Sequence, residues 1–96
     1  MEPALYEFLV RKIRDFQQDR TGPSDMWLPL FGTLPADSAR TFLDSLPNDL
    51  KFLIRREYFG LAHYRFRPPQ GTADLEVAQV IAKWCEEQGD PDALPN

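Results

Sequence analysis

The chain has 96 residues, 43% of them hydrophobic, a single cysteine and a formal net charge of −4. That length supports one modest core and no second domain, the apolar share excludes a disordered chain, and the lone Cys85 excludes an intramolecular disulfide. A pI near 4.8 opposes indiscriminate capture of nucleic acid or anionic lipid, because the field of the whole molecule repels polyanions.

The first predicted element is a helix over about 3–19. Pro3 suits a first helical position, and Leu5, Leu9, Ile13 and Phe16 recur at spacings of four, four and three, with Tyr6, Phe8 and Val10 widening the stripe. Thr21, Gly22 and Pro23 then supply a stop. Residues 26–32 read as a short helical turn or an apolar connector, since Pro29 and Gly32 forbid anything long. Trp27, Leu28, Leu30 and Phe31 are too apolar to lie in water, and burying them is worth several kcal/mol at ~25 cal/mol per Å2.

Leu34-Pro35-Ala36-Asp37 and Leu46-Pro47-Asn48-Asp49 are two similar helix starts. Each is read as proline at the first helical position with an acid two residues later, beside the positive end of the helix dipole. The first opens a helix over 35–45 with Ala39, Phe42, Leu43 and Leu46 facing inward. The second opens a helix whose core stripe is Leu50, Leu53, Ile54, Tyr58, Leu61 and Ala62, with Lys51, Arg55 and Arg56 mainly on the other side. Residues 62–67 alternate apolar and basic as a strand does, yet no partner strand is evident. Either the helix runs on to about Phe66 or an extended arm follows it; Pro68-Pro69 end both. A last helix covers 72–88, with Leu75, Val77, Ala78, Val80, Ile81 and Trp84 as apolar cover and Gly89 as its stop.

The expectation is thus an all-α fold: a small bundle of four main helices plus a short apolar turn, forming a single domain over 1–89, with a flexible acidic tail over 90–96. Residues 27–31 are far short of the ~20 that a membrane span needs, and the N-terminus lacks the pattern of an export signal. The cytoplasm is the expected compartment.

Cys85 and His63 are the lone thiol and the lone imidazole. A metal site would therefore lack ligands, and neither a nucleophilic dyad nor an acid–base pair is suggested. The five glycines all stand at predicted element ends, so there is no phosphate loop. No cofactor, metal or catalytic residue is expected. Cys85 reads as a buried, inert thiol, and His63 as a surface donor kept neutral by its arginine neighbours.

The functional signal is charge. Residues 50–67 carry Lys51, Arg55, Arg56, Arg65 and Arg67 against Glu57, a net of +4, whereas residues 1–49 carry −3 and residues 68–96 carry −5. Arg55, Arg56, Tyr58, His63, Tyr64, Arg65 and Arg67, with Phe59 and Phe66 interleaved, form the expected binding patch. Arg and Tyr are enriched at protein-binding hot spots, and the same residue types also contact phosphate and stack on bases. The plainer reading pairs these arginines with the chain's own acidic flanks. An acidic protein partner is the first expectation, in a small regulatory or interaction protein; nucleic acid is the alternative. Trp27, Phe31 and Trp84 belong either to the core or to a homodimer interface.

Residues 46–61, with Leu46-Pro47 at one end and Leu53-Ile54-Arg55-Arg56-Glu57-Tyr58-Phe59-Gly60-Leu61 at the other, resemble the opening helix of the promoter-reading domain of bacterial sigma factors. That likeness implies DNA binding, and residues 36–59 have the spacing of a helix-turn-helix. After Leu61 the sequence departs from the family pattern: Arg65 to Gly71 intervenes, and a single further helix follows where the family has two.

Overall fold

The computed structural model describes residues 2–19, 27–60 and 72–91, and every regular element among them is helical. The stops expected at 21–23, the choice between helix and extended arm at 62–67, and most of the expected tail lie outside the described residues.

The first helix, α1, spans Pro3–Asp19, and α2 spans Trp27–Thr33. A 3-10 turn, Ala36–Ser38, leads directly into α3, Ala39–Ser45. The fourth helix, α4, spans Asn48–Gly60, and α5 spans Thr72–Gln88. Pro29 is tolerated because it falls in the first turn of α2, where a backbone N–H has no intrahelical acceptor anyway.

Both prolines expected at first helical positions stand one residue earlier. Pro35 is the N-cap of the 3-10 turn, extended at φ −65° and ψ 136°, and its carbonyl accepts from the Ser38 amide at 3.1 Å. The Pro47 carbonyl accepts from the amides of Leu50 and Lys51, both at 3.0 Å. A proline's ring fixes φ without forbidding a cap's extended ψ, so it pre-sets the turn from either position. Leu46, which precedes Pro47, is extended at ψ 149°, as steric conflict with the following ring requires. That extended joint separates α3 from α4.

The core is one cluster to which every helix contributes. Leu9 and Ile13 come from α1, Trp27, Leu30 and Phe31 from α2, Phe42 and Leu43 from α3, Leu50, Leu53, Ile54 and Tyr58 from α4, and Val77, Ala78, Ile81, Trp84 and Cys85 from α5. The last helix is the hub: α2, the 3-10 turn, α3 and α4 all pack on it, while α1 packs on α2 and α4. Trp27, Phe31 and Trp84 therefore belong to the core. Trp27 and Phe31, one turn apart, stack at 5.9 Å between ring centroids.

Three apolar residues expected to be covered are instead exposed: Phe8 at 41%, Leu28 at 56% and Leu75 at 48%. Phe8 falls about 100° around the helix from Leu9 and so leaves the buried stripe. The Lys12 ammonium sits 5.6 Å from its ring centroid, a cation–π contact that shields part of the ring.

Polar side chains tie elements that are distant in sequence. The buried Trp84 indole donates to the Asp44 carboxylate at 2.9 Å, joining α5 to α3. The Tyr6 hydroxyl donates to the Ser45 carbonyl at 3.0 Å, joining α1 to α3. Arg14 pairs with Asp49 at 3.0 Å across α1 and α4. Arg40 pairs with Glu87 across α3 and α5, and that contact raises the Arg40 pKa and lowers that of Glu87.

Candidate functional site: the outer side of α4

Helix α4 presents three faces. Leu50, Leu53, Ile54 and Tyr58 fill the core side. Asp49 holds one flank against α1 through Arg14, and Arg55 and Tyr58 hold the other against the end of α5. Phe52, Arg56 and Phe59 take outer positions, recurring at four and three residues as neighbours along one helical stripe do, and Phe59 packs against the edge of the core. Phe52 is 43% exposed, Arg56 is exposed and Phe59 is half-buried. The Phe59 ring meets Tyr58 edge-on at 5.0 Å.

Two of the residues expected to meet a partner have work inside the molecule. Tyr58 is 3% exposed, and its hydroxyl donates to the Glu86 carboxylate at 2.9 Å. Burial and that bond, in that order, push its pKa up to about 12. The ring is therefore part of the core rather than of the surface.

Arg55 is half-buried. Its Nε and Nη2 donate to the Gly89 carbonyl at 3.1 and 3.0 Å, and Nη2 also reaches the Gln88 carbonyl at 3.3 Å. These acceptors are the orphan carbonyls that follow a helix. They satisfy the guanidinium's hydrogens without cancelling its full charge, so Arg55 still contributes a cationic field to this side of α4. His63, Tyr64, Arg65 and Arg67, the remainder of the expected patch, lie outside the described residues.

Sequence reasoning singled out Phe59 and Tyr58 and passed over Phe52. The signal for Phe52 was its position: two residues after Leu50 and one before Leu53, it lies opposite the core stripe.

Two surface grooves lie elsewhere. One of about 320 Å3, between α1 and α3, is lined by Pro3, Tyr6, Glu7, Thr41, Phe42 and Ser45. Two of its three hydroxyls are committed to backbone: Ser45 donates to the Thr41 carbonyl at 2.7 Å, and Tyr6 to the Ser45 carbonyl. The other, of about 440 Å3, runs from Phe31 to Asp37 and against Glu76 and Val77 of α5. Among the described residues no group of three or more His, Cys, Asp or Glu side chains is placed to hold a metal ion, and no helix is long and apolar enough to cross a membrane. Cys85 is fully buried, and burial pushes its thiol up to about 12 against the opposing charge of Arg55. At neutral pH it is a protonated core residue.

The chain matches no protein-family model, and no curated protein or solved structure shows significant similarity to it. The likeness of residues 46–61 to a sigma-factor helix is thus confined to that stretch. There, α3 and α4 are joined by two residues, fewer than the three or four of a helix-turn-helix, and both helices pack on α5.

Proposed function

We propose that this chain is a protein-interaction domain of regulatory type that receives an acidic partner on the outer side of α4 and along the basic stretch that follows it, and that it works in the cytoplasm, where a lone reduced thiol is ordinary. The observation that carries this reading is Phe52: a large aromatic ring, 43% exposed, standing in the +4 segment of a chain whose net charge is −4. An exposed aromatic with arginines three and four residues on is the composition of a protein-binding hot spot. The net charge of the whole favours a compact acidic patch on a protein over the extended polyanion of nucleic acid.

Fluorescence anisotropy with three labelled probes tests the reading: an Asp/Glu-rich peptide, a duplex DNA and a single-stranded DNA, each at low and moderate salt. The expected result is that the acidic peptide binds, more weakly as salt rises, and that Arg65→Glu/Arg67→Glu abolishes the binding. DNA binding that falls with salt at a slope of about −0.9 per phosphate contact would transfer the patch to nucleic-acid recognition. Peptide binding indifferent to the charge reversal would move the contact surface elsewhere.

A further inference from the structure

We infer that the partner segment is itself a helix, an acidic amphipathic one that packs lengthwise on the outer side of α4 with Phe52 as the anchoring side chain. This rests on the acidic-partner reading above and specifies its chemistry.

A helix that serves only its own core carries one apolar stripe and a polar remainder. Here the inward stripe of Leu50, Leu53, Ile54 and Tyr58 is complete and buried, and on the opposite side stands the exposed Phe52, with Phe59 two turns on, half-buried at the edge of the core. The two rings are seven residues apart, two turns or roughly 10 Å along the axis. That is the repeat at which a second helix presents its own side chains when ridges of one pack into grooves of the other, and helix recognition is read out through anchors at i, i+4 and i+7.

Charge then selects the chemistry of the incoming helix. Lys51 and Arg55 border the stripe and Arg56 lies within it. Arg55 is held by carbonyl oxygens, so its positive charge persists at the margin. An incoming apolar stripe edged by Asp and Glu meets this field favourably, and one edged by Lys or Arg does not. A second copy of this chain offering the same face would set like charges against each other. An extended peptide would need a sheet edge to satisfy its backbone, and the described residues contain none.

The test uses three synthetic peptides of about fourteen residues, long enough for four helical turns. One has Leu at i, i+4 and i+7 among Glu residues, the second has the same composition with the Leu positions scattered out of helical register, and the third replaces every Glu of the first by Lys. Each is titrated against the full chain by anisotropy, and circular dichroism follows helix formation. The striped Glu peptide is expected to gain helicity on binding and to bind about tenfold more tightly than the scattered one. Phe52→Ala, a surface change whose folding is checked by thermal melting, is expected to erase most of that difference, since an anchor of this kind is worth on the order of tenfold or more in affinity.

Equal binding of the two Glu peptides, unaffected by Phe52→Ala, would overturn the helical partner and leave the acidic-partner reading standing. Binding of the Lys peptide as tight as that of its Glu counterpart would overturn the charge reading itself. Binding of neither Glu peptide would overturn both.

Discussion

Arg55 is held by backbone, and that choice of acceptor shapes both stability and surface. Its guanidinium closes on the Gly89 and Gln88 carbonyls, at the end of α5 where the helix dipole is negative. Replacing it by methionine keeps the packed stem and removes the bonds. Arg55→Met is expected to cost on the order of 1.5–3 kcal/mol, the range for hydrogen bonds involving a charged group, with Arg55→Lys recovering only part because an ammonium cannot span two carbonyls as a fork does. Urea denaturation reads this directly, and unchanged stability in Arg55→Met would mean that the clamp contributes nothing.

Nearby, Cys85 and Tyr58 are both pushed up to about 12 by burial, from ordinary values of 9.0 and 10.0. The folded state therefore favours the neutral forms. The stability this gives is fully present below the ordinary values and is lost as pH rises from about 9 toward 12. The urea midpoint should fall over that window, and Cys85→Ala, once its own packing loss is measured at pH 8, should show a shallower fall. Parallel declines would remove the thiol as a cause. Neither the Arg55 clamp nor the Tyr58–Glu86 bond was legible in the sequence, because each joins residues about thirty positions apart and only tertiary packing decides which flank of α4 meets α5.

At the scale of elements, the end of α5 was legible in Gly89, and the structure shows why. Gly89 has φ +88°, and its amide donates to the Cys85 carbonyl at 2.9 Å, the single bond of a left-handed C-terminal cap. Space is not the constraint there, since a Cβ would meet nothing within 4 Å; the backbone conformation is. Gly89→Ala is expected to cost about 1–2 kcal/mol, and Gly89→Asn less, because asparagine tolerates this conformation. Equal stability of all three chains by thermal melting would contradict the cap.

The periodicity of α1 and α5 was equally readable, since Leu9, Ile13, Ile81 and Trp84 recur at helical spacing and are all buried. What periodicity does not fix is the width of a buried stripe. Phe8 and Leu75 satisfy the pattern yet remain outside, because their helices meet neighbours over a narrower arc than the apolar residues cover.

For the molecule as a whole, arginines are held in two ways. Arg14 and Arg40 are matched to carboxylates that bridge elements far apart in sequence, whereas Arg55, in the middle of the basic segment, is matched to neutral oxygens. The composition showed that positive charge is concentrated in residues 50–67. It did not show that Phe52 faces outward and Tyr58 inward, a distinction that depends on which side of α4 the core occupies.

The proposed meeting place with an acidic helix is the outer side of α4. Backbone amide shift mapping by NMR, on the isotope-labelled chain titrated with the striped Glu peptide, tests it most directly. The prediction is that the largest shifts among the helices fall on α4 around Phe52, Arg56 and Phe59. Shifts concentrated around Tyr6, Thr41 and Ser45 in the groove between α1 and α3, or spread over no contiguous surface, would contradict it.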